Sequence, residues 1–314
     1  MIGKLEAQAG NLADHLGSVD PRLLLVALVL HLANHVLRSL AWRNVLAAAY
    51  PERRVGLLGV TAAYATGVAF NAVAPARGGD AVKVALVRTQ IPDSSLVTIA
   101  ATMPVLMLFD LVAGTILVAC VALFGGAPLA AQAPSAPAAF GWLAAHPPIA
   151  AAAVVAVAGL GWLLVRRARP ALRSLWDRAR QGGAVLRSPA RYASGVALVQ
   201  AAAWACRIGV VTCLLAAFGM PASPALAGLV MVVAGVSTAV PLTPGGAGTQ
   251  QVLLAYVLTG VASAAAIISF SVTMQVGITL VNALLGVGGA MVTFRTARPW
   301  HAVRSGVRLA RAER

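Results

Sequence analysis

The sequence predicts an all-α fold, a polytopic membrane helix bundle of about eight segments. Three observations carry this. The chain is 60% hydrophobic and only 11% charged, with a mean hydropathy of +0.84, whereas a soluble domain has roughly 25% charged residues. Apolar runs near the ~20 residues that cross a hydrocarbon core recur from Leu23 to Met291. Two of these runs end in Gly/Pro-rich breaks, "FNAVAPARGGDAVK" at 70–83 and "PLTPGGAGTQQ" at 241–251.

The runs fall at 23–48, 55–73, 95–124, 149–165, 193–218, 223–241, 250–262 and 265–294. They make one transmembrane domain, 23–294, behind a polar N-terminal segment, 1–22, and ahead of a basic tail, 295–314. The first run starts late and continues through Arg38 into Trp42 and Arg43 with no small-residue cleavage site, so it is expected to be retained. Eight crossings would put both termini on one side. The linker 125–148 has no Lys, Arg, Asp or Glu and fits an external loop. The segment from Arg166 to Tyr192 holds eight arginines and one aspartate, and with the Arg-rich tail it is expected to be cytoplasmic. Trp142 and Trp162 bracket the fourth run as interfacial anchors do. This map leaves Arg53 and Arg54 outside, so either the charge bias is locally broken or 55–73 is re-entrant. The run at 250–262 is too short to cross and reads as half-membrane re-entry.

The formal charge of +15 does not call for nucleic acid. The basic residues flank apolar spans, where anionic headgroups attract each nearby Lys or Arg by about 1 kcal/mol. Cys120, Cys206 and Cys213 all lie in apolar runs, and no disulfide, metal or cofactor framework is implied. His31 and His35 have metal-ligand spacing, but "HLANH" lacks the Glu of HExxH and a third ligand, so interhelical hydrogen bonding is the expectation. With Arg38 and Trp42, spaced by 4, 3 and 4, they form one polar, inward face of the first helix.

A charge at the centre of a span costs roughly 2.5–3.5 kcal/mol, so it needs a partner or a wet cavity. Arg38, Asp110 and Arg207 are such charges, as is the cluster Arg77, Asp80 and Lys83. Asp110 and Arg207 read either as a structural ion pair or as groups on a translocation path. At the first break, Pro75 cannot continue a helix and Gly78 and Gly79 relax the backbone. A new helix from about Asp80 would open with free amides and about half a unit of positive charge beside Arg77 and Lys83, which suits an anion such as a phosphate. Asp80 is then the N-cap and the group that orients Arg77 or Lys83. At the second break the donors would be backbone amides, Thr249, Gln250 and Gln251. Neither break contains GxxxxGK[ST], so no nucleotide loop is read, and ordinary interhelical turns are the plain alternative. Both run apolar helix, Ala-Val, proline, Gly-Gly, apolar helix. This is either chance or an internal, inverted repeat, and paired interrupted helices point to a transporter's binding site.

Together with "LMLFDLVAG" and "WACRIGVVTCLLAAFG", these motifs make the chain resemble, from about Arg38 to Val292, the lysylphosphatidylglycerol synthase transmembrane region family, a flippase-like integral domain. By that resemblance Asn71, Pro75, Arg77, Gly79, Asp80 and Lys83 match the first motif, and Pro241, Pro244, Gly245, Gly246 and Gly248 the second. Two departures matter. Family members often carry an acidic residue where this chain has Gln250 and Gln251, and the soluble aminoacyl-transfer domain of the synthases has no counterpart here, so no lipid aminoacylation, and no other enzymatic activity, is expected of these residues.

The resemblance and the breaks together imply an inner-membrane protein that binds or moves a lipid with an anionic headgroup, such as an aminoacylated phospholipid or a polyprenyl-phosphate-linked sugar. Arg77 and Lys83 would hold the phosphate, with Arg38 and Arg207 along the path. The rivals are a secondary transporter of a small anionic solute with Asp110 proton-linked, and a non-transporting membrane partner of a lipid-modifying enzyme that docks on the arginine-rich loop.

Overall fold

In the computed structural model, residues 19–73, 78–124, 180–239 and 248–294 are described. Among them the chain is almost wholly helical, and no β-strand occurs. We number the helices α1 (Pro21–Ala49), α2 (Leu57–Val73), α3 (Gly78–Arg88) and α4 (Leu96–Phe124). α5 runs from Pro189 to Ala217, followed by α6 (Pro224–Ala239), α7 (Thr249–Val257) and α8 (Ala264–Phe294). The run at 149–165, Trp142, Trp162 and the basic tail lie outside the described residues.

Among the described residues, four helices are long and apolar enough to cross a membrane: Pro21–Ala49, Leu96–Val121, Pro189–Ala217 and Ala265–Thr293. Their outer faces show what such a solvent selects. On α8, Val276, Leu280, Leu284, Val287 and Met291 recur every three or four residues and are all exposed, as are Leu25, Val29, Leu32 and Val36 on α1. An apolar stripe left outside a fold is costly in water and costs nothing against lipid tails.

Local chemistry sets the ends of these helices. Asp20 caps α1 by accepting from the Arg22 amide at 2.8 Å, with Pro21 at the first helical position. α5 carries a widened turn at Ala193–Ala197, within which the Gly195 carbonyl accepts from Asn44 Nδ2 at 2.8 Å. It stops at Gly219, whose φ of +66° lets the Met220 amide turn back onto the Leu215 carbonyl at 3.0 Å.

By compactness the chain divides into two units, Met1–Leu32 with Ala113–Leu160 and Ala205–Gly277, and Ala33–Val112 with Gly161–Trp204 and Ile278–Arg314. The first holds α6 and α7, which pack on each other. There Gly228 lies against Leu117 and Val121, and Phe218 meets Phe270 edge to face.

The second unit holds α2 and α3, which form an antiparallel hairpin. Near its closed end Asn71 contacts Gly79, midway Gly67 faces Gly79 and Lys83, and at its open end Gln90 Nε2 donates to the Gly59 carbonyl at 3.2 Å. The flanking segments also meet at the open end. Arg53 pairs with Asp93 at 2.8 Å, and the Tyr50 hydroxyl accepts from the Ser95 amide at 3.1 Å. The chain thus leaves the hairpin at the end where it entered. The sequence treats 55–73 as a separate segment; its partner in the fold is α3, too short and polar to register as an apolar run. On the other face of α2, Ala62, Ala65 and Ala69 receive Gly286 and Gly289 of α8.

Candidate functional site

The polar residues of the second unit converge on Tyr64, which α2 carries into the core built of residues such as Trp42, Leu46, Val82, Leu86 and Ile99. Arg38 Nε donates to the Tyr64 hydroxyl at 2.8 Å, and its two terminal nitrogens reach Asp110 Oδ1 and Oδ2 at 3.0 and 2.5 Å. Trp204 Nε1 donates to Asp110 Oδ1 at 3.0 Å. The fork of Arg38 thus meets a carboxylate in the two-pronged geometry that suits a guanidinium best. Sequence reading placed Arg38 along a path; the structure makes it a two-pronged partner of Asp110. Arg207 lies exposed on α5.

Lys83 Nζ stands 4.7 Å from the Tyr64 ring centre, a cation–π contact. Lys83 also donates to Asp80 Oδ1 at 2.8 Å, one helical turn earlier. Its side chain is 8% exposed, and that of Asp80 26%. The ammonium fits because Gly67 has no side chain: a Cβ there would collide with the Lys83 stem and stand 2.6 Å from the Gly79 carbonyl oxygen.

The first turn of α3 departs from expectation. The helix begins at Gly78, so Asp80 lies inside it and is not its N-cap. The Gly79 amide is taken by Asn71 Oδ1 at 2.8 Å, and Asn71 Nδ2 donates to Asp80 at 3.3 Å. Asn71, placed by the last turn of α2, therefore does the capping that sequence reasoning assigned to Asp80, and Gly79 N–H is not open to a ligand. The only sequence signal was an Asn ahead of a Gly-Gly. Pro75 and Arg77 lie outside the described residues.

The polar face predicted on α1 is present in part. His35 Nε2 and Asn282 Oδ1 of α8 are 2.8 Å apart, His35 meets Tyr64 edge to face, and Trp42 Nε1 donates to Thr102 at 2.8 Å. Tyr64, Trp204 and Asn282 were missed by sequence reasoning, because an aromatic or amide within an apolar run carries no mark of the face it occupies. Among the described residues, no three His, Cys, Asp or Glu gather into a metal site.

At the second break, Pro241, Pro244, Gly245 and Gly246 lie outside the described residues. Gly248 has φ +83° and donates its amide to Gln251 Oε1 at 2.7 Å. Gln251 Nε2 in turn donates to Gln275 of α8. Gln251 is thus occupied in closing the start of α7, while Gln250 is buried and Thr249 half-buried.

The profile of the family described as the lysylphosphatidylglycerol synthase TM region matches residues 5–286. The chain belongs to this family. It is a multi-pass membrane protein of a family linked to lipid handling. No curated protein matches the chain.

Proposed function

We propose that this family member binds a lipid with an anionic headgroup at the α2–α3 hairpin and carries that headgroup across the bilayer. The observation that carries the reading is Lys83, an ammonium 7% exposed overall, placed beside a Gly-Gly break in a chain of membrane-crossing helices. Intramembrane charges are costly and mark substrate paths. A phosphate would meet Lys83, with Arg77 from the adjoining motif as second cation, while the acyl tails stay in lipid. Arg38, Asn71, Asp110 and Tyr64 form the polar wall.

The hairpin is read as re-entrant. Its arms of 17 and 11 residues are about 25 and 16 Å long, short of the ~30 Å core, and the chain leaves where it came in. The order long helix, two short helices, long helix occurs in α1–α4 and again in α5–α8. We read these two copies as an inverted repeat, in which paired interrupted helices point to a transporter's binding site.

The test is a headgroup-translocation assay in vesicles with fluorescent phosphatidylglycerol. Lys83→Ala and Arg77→Ala are each expected to slow transfer at least tenfold. Rates equal to wild type in both would remove the site.

A further inference from the structure

Among the described residues around Tyr64, Arg38 pairs with Asp110 and Lys83 pairs with Asp80. An anion that approaches Lys83 therefore finds the ammonium already held by a carboxylate, and it is the carboxylate that is the more exposed partner, 26% against 8%. Two negative groups on one buried ammonium repel strongly at low dielectric. We propose that Asp80 is a tethered counter-ion that an incoming phosphate must displace. This rests on the anion-binding reading of the hairpin and adds its regulation: exchange of Asp80 for ligand opens the site, and return of Asp80 expels the ligand.

Three features fit exchange better than a permanent pair. Asp80 sits one turn from Lys83 on the same helix, so its effective concentration there is high and the site stays closed to weak anions. A carboxylate released from Lys83 remains in the first turn of α3, where the positive end of the helix dipole stabilises it. The bond that Asn71 Nδ2 donates to the same carboxylate is long, at 3.3 Å, whereas Arg38 grips Asp110 through both oxygens. Of the two pairs, the Lys83 pair is thus built to separate.

The experiment measures equilibrium binding of fluorescent phosphatidylglycerol to the full chain in phosphatidylcholine nanodiscs, with glycerol phosphate as a soluble competitor. Asp80→Asn is expected to bind about tenfold tighter than wild type and to transfer lipid more slowly in vesicles. Asp80→Glu, which keeps a counter-ion, should resemble wild type. Lys83→Gln should bind weakly, whether or not Asp80→Asn is also present. Glycerol phosphate that competes more strongly in Asp80→Asn would equally support exchange and assign the ligand to soluble phosphates. Binding unchanged or weakened in Asp80→Asn, with Lys83→Gln weak, would overturn the counter-ion and leave the anion site standing. Lys83→Gln equal to wild type would instead overturn the anion site itself. If Asp80→Asn is not monodisperse, Asp80→Ser serves in its place.

Discussion

The pairing of Arg38 with Asp110 decides how two charges survive inside α1 and α4. Each alone would cost roughly 2.5–3.5 kcal/mol at a span centre; joined by two hydrogen bonds, with Trp204 as a further donor, they offset one another. Removing one partner leaves the other charged and unmatched, a loss of about 3–5 kcal/mol. Arg38→Ala and Asp110→Ala are each expected to lower the thermal midpoint in detergent sharply. The double replacement Arg38→Met with Asp110→Leu should restore most of it. A double variant no more stable than either single would mean that the pair does more than balance charge. Sequence reading located both charges, because a charge in an apolar run is conspicuous. It did not join Arg38 to Asp110, because the two lie 72 positions apart and only the packing of α1 against α4 brings them together.

At the scale of the element, α2 is closely packed on two faces. One face meets α3 through Gly67, and the other meets α8, where a Cβ on Gly289 would come 2.5 Å from the Ala62 carbonyl. Without water to drive association, helices in lipid depend on such close approach of small residues. Gly67→Val and Gly289→Val are expected to cost at least 1–3 kcal/mol by overpacking, read as a lower unfolding midpoint. Gly67→Val should also abolish lipid binding, since it displaces Lys83, whereas Gly277→Val, where a Cβ meets nothing within 4 Å, should be tolerated. The ends of the apolar runs were legible to within a few residues because hydropathy reports them directly. α3 was legible only as a continuation after Gly-Gly, since an 11-residue helix with Asp80, Lys83 and Arg88 lacks an apolar period long enough to stand out.

At the scale of the whole chain, the proposed re-entry of the hairpin would reconcile the charge map. On that reading Arg53 and Arg54 share a side with Arg88, and the positive-inside bias expects that side to be the cytoplasmic one. Single cysteines at Arg54 and Gln90, in a background with Cys120, Cys206 and Cys213 replaced, are expected to react with an impermeant maleimide from the cytoplasmic side only. Labelling from opposite sides would show that α2 crosses.

The sequence by itself determined that this protein lives in a bilayer, where its long helices run, and which family it joins, because hydropathy and short Gly/Pro motifs are local properties of the chain. Tertiary structure alone decided that Asn71 rather than Asp80 caps α3, that Asp110 belongs to Arg38, and that Lys83 lies between Tyr64 and Asp80. Those choices depend on helix faces meeting across dozens of residues, where a one-residue rotation of about 100° would have brought different side chains together.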